Sequence, residues 1–579
     1  MSDLVIVSNR GPFSFTETLL QNAESMLYSG DAAGRPVFGE GGLVRAMAGL
    51  LKSGAWTPTW IGASMGNRDI DVARGYYTEL FNKMEKSDLA PESFPYIRIE
   101  PDSRMHFLYG EYDFFMRFVF FDTRHMHSYY SKFANGFLWP LLHLTRSPAF
   151  YKQCRTFPRP CFEKNDFVQY TSSNVTFANV VVDEIRKSGE LMKGRDNIVV
   201  WNQDYHLMEI AEVFKALLRE EGFSKDKTER IHVGHFLHTP FFNIHDIQGL
   251  IREDKRMRVK EQVFEPFGES IENALQRLTW GMLNNDFIGF HTKEYCDNYL
   301  QALQEWFPVD IRIRDRFYEI KHRDRVTTVG SFPIGLDVDG ILGEVGPGAS
   351  LDYTFDGRGL NDSIRADRAQ GRIVFGGLER CDYTKGLLER LGVFAYALKG
   401  LKSRGKNARL YQISAPSRSD NPDYQYLNQM FADELERVNG RLGEEAVIHL
   451  DQGVNPPQNY RFMKNVDVML VTPLEDGMNL VAFEYILSQK YRPVRSRGLL
   501  VISTSGASRV LKEKGFDEAH GVVYVNAMRP KNAGGKIVEA LQKGVGVSDE
   551  LINYIERERR VDDWAEQNIE AILESRKKS

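Results

Sequence analysis

Residues 468–485 read VMLVTPLEDGMNLVAFEY, and this stretch decides the fold class. The apolar run from Val468 to Val471 has the length and composition of a buried strand. It leads through a turn that contains Gly477 into a helical pattern that begins at Leu480. Similar runs, each followed by a polar or glycine-containing turn and a helical pattern, recur along the chain. This alternation predicts an α/β fold with parallel strands and crossover helices.

The repeated pattern predicts two doubly wound domains, because a chain of 579 residues exceeds the size at which one core stops growing, about 250 to 300 residues. A buried strand is also expected within residues 114–121. The other strands are expected at residues 4–8, 198–201, 231–235 and 287–290 in the first half, and at 373–376, 410–413, 447–450, 468–471, 499–502 and 522–525 in the second.

We expect the domain boundary just after Ile334 and Gly335, which gives domains at residues 1–336 and 337–565. Residues 338–370 are rich in Gly and Asp and poor in periodic apolar residues, which predicts an exposed insertion. Two further irregular stretches are expected insertions, and the end of the chain reads as a charged amphipathic helix that returns to the first domain. The two insertions are residues 69–104 and 155–166. The helical pattern covers residues 549–576, and residues 566–579 form the segment expected to pack on the first domain.

Charge and cysteine content exclude several classes of partner. A net charge of −5 and a pI near 6.3 provide no basic field for nucleic acid or an anionic membrane surface, so neither is an expected partner. The four cysteines form no CxxC pair, which argues against a disulfide framework or a zinc site and fits a reducing, cytoplasmic location. The first residues enter a strand-like run without a signal-peptide pattern. No metal or cofactor is expected.

Ligands of open parallel sheets bind beyond the carboxyl ends of the strands, so the candidate residues are those that follow each strand. In the first half, Gly41 and Gly42 lead into a helical run and can bring backbone N–H groups close to an anion, although such turns are as often plain connections. Asp204 and His238 follow two neighbouring strands and can orient sugar hydroxyls or share a hydrogen bond with a leaving group. The alternative for such a histidine is a structural role.

In the second half, Arg380 and Lys385 follow a strand and can clamp a diphosphate, although isolated cations are more often solvated surface charges. The turn at Gly477 leads to a helix N-terminus that can face a phosphate or a sugar. Glu484 lies one turn beyond Leu480, where its carboxylate can accept hydrogen bonds from ribose hydroxyls or pair with a surface cation. The backbone amides of that N-terminus belong to Met478, Asn479 and Leu480.

An ordered set of motifs resembles the trehalose-6-phosphate synthase family, which are retaining glycosyltransferases of the GT-B architecture and include glucosylglycerol-phosphate synthase. The motifs, from Val7 to Tyr485, are VSNR, GGL, FANGFLWPLLH, QDYHL, GHFLHTPF, FIGFHT, FPIG, LERCDYTKG, SAPSR and TPLEDGMNLVAFEY. The resemblance implies two Rossmann-like domains that face each other across a cleft. It also implies transfer of glucose from a nucleotide sugar to glucose 6-phosphate, which gives trehalose 6-phosphate.

The resemblance assigns roles to residues of this chain. The acceptor phosphate would be held by Arg10, Tyr130 and Arg418, in a pocket also lined by Trp139 and Asp204. His238 would lie beside the transferring sugar. The donor would be bound by Gly41 and Gly42 of the GGL motif, by Arg380 and Lys385 at the diphosphate, by Asp476, Gly477, Met478, Asn479 and Leu480 at the glucose, and by Glu484 at the ribose.

The resemblance further implies a front-face substitution, in which the leaving phosphate oxygen helps to take the acceptor proton and no carboxylate attacks the anomeric carbon, unlike the two-carboxylate scheme of glycoside hydrolases. Ala63 stands where the family usually has tryptophan, so the acceptor is less constrained than the donor. Glucosylglycerol-phosphate synthesis, coupling of cyclitols, and an inactive sugar-phosphate-binding regulator stay open. UDP-glucose is the expected donor, with ADP-glucose and GDP-glucose as alternatives. A homo-oligomer is an open alternative to a monomer.

Overall fold

The computed structural model describes two compact units of the chain. The described residues are 3–12, 47, 50–51, 58–64, 67–74, 76, 79, 96–99, 104–109, 112–144, 158, 160–191, 197–260, 270–355, 357–418, 421–443, 445–451 and 456–576. The N-terminal unit comprises Met1–Trp139, Pro160–Phe332 and Asp562–Ser579. The C-terminal unit comprises Pro140–Arg159 and Pro333–Val561. Each unit is built around its own sheet.

The N-terminal sheet has eleven strands in the order β3-β4-β5-β2-β1-β6-β7-β8-β11-β10-β9. Its centre, from β5 to β11, is parallel, whereas β3-β4 and β10-β9 add antiparallel edges. The strands are β1 (Asp3–Arg10), β2 (Thr59–Ala63), β3 (Tyr96–Ile99), β4 (Met105–Tyr109), β5 (Tyr112–Val119), β6 (Ile198–Gln203), β7 (Ile231–Leu237), β8 (Phe287–Phe290), β9 (Asp310–Arg314), β10 (Phe317–His322) and β11 (Arg325–Ser331). The chain switches from one side of β1 to the other between β2 and β6, so ligands are expected where β1 and β6 end.

Helices cover the faces of this sheet because one side of each helix is apolar. In Ile210–Glu220 the buried residues Ile210, Ala211, Phe214 and Leu218 recur at helical spacing and join a core with strand residues such as Val200 and Val233. The helices up to Trp306 are α1 (Asn67–Ala73), α2 (Thr123–Met126), α3 (Trp139–Leu144), α4 (Lys164–Leu191), α5 (Ile210–Glu220), α6 (Lys225–Glu229), α7 (Ile244–Lys260), α8 (Ile271–Leu283) and α9 (Lys293–Trp306), with a π-helical segment at His127–Leu138 and a 3₁₀ turn at Tyr205–Leu207.

The C-terminal sheet has six parallel strands in the order β16-β15-β14-β17-β18-β19. These strands are β14 (Arg372–Leu378), β15 (Asn407–Ile413), β16 (Val447–Leu450), β17 (Val468–Val471), β18 (Leu499–Ile502) and β19 (Val522–Tyr524). This is the strand order of a dinucleotide-binding fold, with the chain reversing its direction of winding between β14 and β17. The segments that follow these two strands therefore flank the expected ligand crevice.

The helices of the C-terminal unit include two that the sequence did not predict. Residues 338–370 form a helix, a short hairpin of β12 (Thr354–Phe355) and β13 (Arg358–Gly359), and a second helix. The helices are α10 (Val338–Val345), α11 (Leu360–Ala369), α12 (Leu387–Lys402), α13 (Pro422–Leu442), α14 (Pro456–Lys464), α15 (Leu480–Ser488), α16 (Gly506–Glu513), α17 (Pro530–Lys543) and α18 (Asp549–Glu558), with 3₁₀ turns at Tyr383–Lys385, Val494–Ser496 and Glu518–His520.

The expectation that residues 338–370 are irregular and exposed is wrong for the two helices, each of which buries one face, whereas the hairpin between them is exposed or half-buried. Helix α10 buries Val338, Ile341 and Val345, and Arg461 of α14 donates to a Glu344 carboxylate oxygen 2.7 Å away. These apolar residues recur at helical spacing, but glycines between them weaken the pattern, which explains why the sequence did not reveal the helix.

The end of the chain forms two helices instead of one. Helix α18 ends at Glu558, and α19 (Val561–Ser575) belongs to the N-terminal unit. There α19 packs on the sheet: the ring centroids of Trp564 on α19 and Trp201 on β6 lie 5.3 Å apart. A Cβ at Gly234 would come within 2.3 Å of Ile572 Cδ1, so glycine on β7 leaves room for the Ile572 side chain of α19.

Candidate functional site

Two of the residues assigned to the acceptor phosphate lie together in the N-terminal unit. Arg10 is the last residue of β1, and its Nη2 donates a hydrogen bond to the Tyr130 hydroxyl at 2.8 Å. The guanidinium also lies 5.5 Å from the centre of the Tyr130 ring. Arg10 is exposed and Tyr130 is half-buried, so this pair can meet an anion from solvent.

The π-helical segment positions Tyr130. The Trp139 amide donates to Ala134 O, five residues earlier, and such widened turns often occur at functional sites. Asn135 donates through Nδ2 to Tyr130 O at 2.8 Å and accepts a hydrogen bond from the Tyr205 hydroxyl at 2.9 Å. One buried amide therefore fixes this segment to the 3₁₀ turn that follows β6.

Aromatic contacts extend from this point. The Tyr130 and His206 rings stack with centroids 5.7 Å apart and an interplanar angle of 17°. Trp139, assigned to the acceptor pocket, is buried, with its ring 5.6 Å from that of Tyr205. The predicted residues Arg10, Tyr130 and Trp139 thus belong to one connected group, with Tyr205 and His206 as members that sequence reasoning did not assign.

Asp204 and His238 also lie together, because they follow neighbouring strands β6 and β7. The Asp204 amide donates to Phe236 O at 2.8 Å, and the Asp204 carboxylate accepts from the His238 amide at 3.3 Å. Asp204 has a φ of 71°, a left-handed conformation that is strained for any residue other than glycine. Such backbone strain is common at functional sites.

His238 is a neutral imidazole at neutral pH. Burial lowers the pKa of His238 well below its ordinary value, and the neighbouring His291 and His235 lower it further. Its Nε2 donates to Gln203 Oε1 at 2.9 Å, which leaves Nδ1 as a hydrogen-bond acceptor. A neutral ring held in one tautomer is suited to a sugar hydroxyl.

His235, on β7, is buried, and among the described residues neither ring nitrogen has a hydrogen-bond partner. Burial lowers the pKa of His235 to about 3. The unfolded chain takes up this proton near pH 6.5, so the folded state loses stability as the pH falls below about 6.5. Between about pH 7 and about pH 5, we expect the free energy of unfolding of His235→Gln to fall by about 2 kcal/mol less than that of the wild type. Urea titrations at both pH values measure this difference.

The matched control is His245→Gln, because His245 is exposed. This variant should keep the wild-type pH dependence. Equal pH dependence of the wild type and His235→Gln would show that His235 takes up its proton in the folded state as readily as in the unfolded chain.

The C-terminal unit brings Lys385 and Asp476 together at the point between β14 and β17. The Lys385 ammonium contacts the Asp476 carboxylate and lies 4.0 Å from Glu379 Oε2. Burial alone would lower the pKa of Lys385, but the two carboxylates outweigh it and raise the pKa, so the side chain stays charged. Arg380, in the same turn, is exposed and interacts electrostatically with Lys385. Both predicted diphosphate ligands therefore lie at the crevice of this sheet.

A buried network holds Lys385 in place. Asn479 donates through Nδ2 to Asp476 Oδ2 at 3.0 Å and to Glu379 Oε1 at 3.1 Å. Glu379 in turn lies 3.5 Å from Nη2 of the fully buried Arg390. Arg390 and Glu379 join the candidate site through these contacts, and sequence reasoning did not single them out, although Glu379 lies in the LERCDYTKG motif.

The turn from Gly477 to Leu480 has the predicted form of a helix N-terminus. Helix α15 begins at Leu480, and Asn479 precedes it with a φ of 65° and no side-chain hydrogen bond to the first turn. Glu484 is buried on this helix. Opposite, Gly386 has a φ of 60°, and a Cβ there would lie 2.2 Å from Thr472 O, so glycine is needed for the two turns to approach.

Arg418 belongs to the C-terminal unit, whereas Arg10 and Tyr130 belong to the N-terminal unit. Arg418 contacts the Tyr424 hydroxyl, and its Nη1 lies 3.5 Å from Asp382 Oδ2. Ala63 is fully buried at the end of β2. Gly41 and Gly42 lie outside the described residues.

Among the described residues, no group of three or more His, Cys, Asp or Glu side chains is arranged to hold a metal ion. In the same part of the chain, every helix is too short or too polar to cross a bilayer.

Comparison with known proteins gives consistent results. An α,α-trehalose-phosphate synthase (UDP-forming) of Zygosaccharomyces rouxii is 26% identical over 546 residues, which cover 93% of this chain and 88% of that protein. A structure of the Burkholderia xenovorans synthase with glucose-6-phosphate has a TM-score of 0.66 at 21% identity and covers 99% of this chain and 100% of that one. A structure from E. coli, named for trehalose-6-phosphate and bound with UDP-2-fluoro glucose, has a TM-score of 0.65 at 21% identity, with 99% of each chain covered.

These structural likenesses confirm the predicted fold class of two Rossmann-like units. The profile of glycosyltransferase family 20 matches residues 2–247 and 274–572, which include most of both units. The chain belongs to glycosyltransferase family 20, which confirms the resemblance to trehalose-6-phosphate synthases in its motifs.

Proposed function

We propose that this enzyme transfers glucose from UDP-glucose to glucose 6-phosphate with retention of configuration, and forms trehalose 6-phosphate and UDP. The bond between the anomeric carbon and the diphosphate oxygen breaks, and the anomeric hydroxyl oxygen of the acceptor forms the new bond on the same face. The proton of that hydroxyl passes to the departing phosphate oxygen. The curated relatives share this activity by name, and their match extends over most of the chain.

The observation that carries the proposal is the position of Lys385 between the ends of β14 and β17. A buried ammonium there, with Arg380 in the same turn, provides two positive charges where a bound nucleotide places its diphosphate. Charge that develops on the leaving diphosphate is stabilised by such fixed cations, because they need no reorganisation during the reaction. The N-terminus of α15 adds backbone amides for the donor sugar.

The carboxylates around Lys385 are suited to positioning rather than to nucleophilic attack. Asp476 contacts Lys385, and Glu379 pairs with Arg390. The cation at Lys385 outweighs burial and keeps the pKa of Asp476 low. Since each carboxylate already neutralises a cation, these contacts favour a front-face substitution over a two-carboxylate mechanism.

A substrate panel tests the proposal. UDP-, ADP- and GDP-glucose are each incubated with glucose 6-phosphate and with glycerol 3-phosphate, and nucleoside diphosphate release is measured. We expect fast release only with UDP-glucose and glucose 6-phosphate, and a 1,1-linked α,α-disaccharide phosphate by NMR. No release in any pairing would disprove the proposal and would favour a sugar-phosphate-binding regulator.

Glycerol 3-phosphate is included because of Ala63. This residue pairs with Arg10, the proposed phosphate ligand, in the β1–β2 register, and its methyl group lacks the aromatic surface of a tryptophan. Faster release with glycerol 3-phosphate would assign the chain to glucosylglycerol-phosphate synthesis. Release with neither phosphate, but from a nucleotide-linked cyclitol donor with a cyclitol acceptor, would indicate pseudo-glycosyl transfer.

Arg10→Ala should raise the KM for glucose 6-phosphate by about 10- to 100-fold, because it removes a charge-assisted hydrogen bond to the phosphate. The KM for UDP-glucose should stay the same. Steady-state kinetics with each substrate varied in turn measure both values. The control is Arg124→Ala, an exposed arginine of α2. An unchanged KM for glucose 6-phosphate in Arg10→Ala would remove Arg10 from the phosphate site.

A further inference from the structure

Asp382 organises the turn that follows β14. Its Oδ1 accepts hydrogen bonds from the Thr384 amide at 2.9 Å and from the Thr384 hydroxyl at 2.8 Å, and so caps the 3₁₀ turn that ends in Lys385. Its Oδ2 accepts a hydrogen bond from the Tyr424 hydroxyl at 2.9 Å. The side chain is fully buried, so both oxygens depend on these partners.

Arg418 contacts both Tyr424 and Asp382, because its Nη1 also lies 3.5 Å from Asp382 Oδ2. Its guanidinium carbon lies 5.2 Å from the centre of the Tyr424 ring, and its Nη1 contacts the Tyr424 hydroxyl. Arg418 has a φ of 48°, a left-handed conformation that is uncommon for arginine. The Asn421 amide donates to Arg418 O at 2.9 Å and closes this turn.

The direction of each hydrogen bond in this group is fixed. Burial alone would raise the pKa of Asp382, but Arg418 and Arg380 outweigh it and hold the pKa at about 2, so Asp382 is an acceptor only. Burial, followed by the Asp382 charge, raises the pKa of Tyr424, so its hydroxyl keeps its proton. Arg418 therefore donates to Tyr424, and Tyr424 donates to Asp382.

We propose that Asp382 and Tyr424 are positioning residues for acceptor binding, which hold Arg418 in the orientation that receives the acceptor phosphate. The inference rests on the proposed function, because it assumes that Arg418 binds that phosphate. Asp382 also interacts electrostatically with Arg380 and Lys385. One buried carboxylate thus contacts Arg418 and caps the turn that ends in Lys385.

Tyr424→Phe tests the inference, because it removes one hydroxyl and keeps the ring. We expect the KM for glucose 6-phosphate to rise about five- to tenfold, with kcat and the KM for UDP-glucose changed less than about twofold. Asp382→Asn should raise the same KM at least as much. The matched controls on α13 are Tyr426→Phe and Asp433→Asn, both of exposed residues, and they should match the wild type.

Phosphate-free glucose as acceptor separates positioning from a general structural role. Tyr424→Phe should lower kcat/KM for glucose 6-phosphate and leave that for glucose unchanged. Equal losses with the two acceptors would overturn the inference.

The double variant Arg418→Ala/Tyr424→Phe provides an independent test. If Tyr424 acts through Arg418, the double variant should have the same KM for glucose 6-phosphate as Arg418→Ala alone. Losses that add would show that Tyr424 acts by another route and would overturn the inference. If Arg418→Ala instead keeps the wild-type KM for glucose 6-phosphate, Arg418 does not bind the acceptor phosphate, and the inference fails. The proposed function would not be affected by that result, because it is tested by the activity of the wild type.

Discussion

Arg380→Ala and Lys385→Ala are each expected to lower kcat by about 100-fold or more, the usual loss when a donor that stabilises transition-state charge is removed. Both residues lie in the turn after β14, where the diphosphate of a bound nucleotide sugar is expected. Initial rates of UDP release at saturating UDP-glucose and glucose 6-phosphate measure the effect. Near-normal rates in both variants would disprove the diphosphate clamp.

The two variants differ in what they do to folding. Arg380 is exposed, so its loss should leave thermal stability almost unchanged, and its kinetic effect reports on catalysis alone. Lys385 contacts Asp476 and lies near Glu379, so its loss leaves buried carboxylates without their cation and should also lower stability. Lys406→Ala, an exposed lysine of the same unit, is the control for both.

Arg390→Met is expected to lower the free energy of unfolding of the C-terminal unit by about 3 kcal/mol, because the buried Glu379 carboxylate loses its nearer cation and keeps only Lys385 at 4.0 Å. The Arg390 side chain is fully buried. It donates to Thr472 Oγ1 at 2.9 Å and to Gln412 Oε1 at 3.1 Å, and lies 3.5 Å from Glu379. Urea unfolding fitted with one transition for each compact unit should show only one transition shifted.

The double variant Arg390→Met/Glu379→Gln is the control for the charge. It removes both members of the pair and should recover part of the lost stability, because no buried charge is left without its partner. A loss below about 1 kcal/mol in Arg390→Met, or no recovery in the double variant, would show that the ion pair contributes little.

The parallel strands could be predicted from the sequence, and the antiparallel edges could not. Predicted strands such as residues 198–201, 468–471 and 499–502 are buried runs of continuous apolar residues, and each of these three lies in an observed strand. The edge strand β9 reads DIRIR and is largely exposed, so it lacks this signal. The strand pattern specified the C-terminal sheet well, because all of its strands are parallel and buried.

The individual site residues were indicated by their place after strands, but their partners were not. Asp204 and His238 each follow a predicted strand, and the parallel pairing of β6 and β7 brings them together. By contrast, Tyr424 comes from the middle of the chain's second half and meets Asp382 across 42 positions. No spacing rule predicts such a contact, because the packing of α13 against the β14 turn decides it.

The sequence by itself determined the α/β class and the two doubly wound domains. It also determined which cations and carboxylates follow the strands, because strand burial and turn chemistry are local properties. Only the tertiary structure decided which charges pair. Lys385 with Asp476, Arg390 with Glu379 and Arg418 with Asp382 are brought together by strand order and helix packing, and in a buried site the distance between two charges determines their interaction energy.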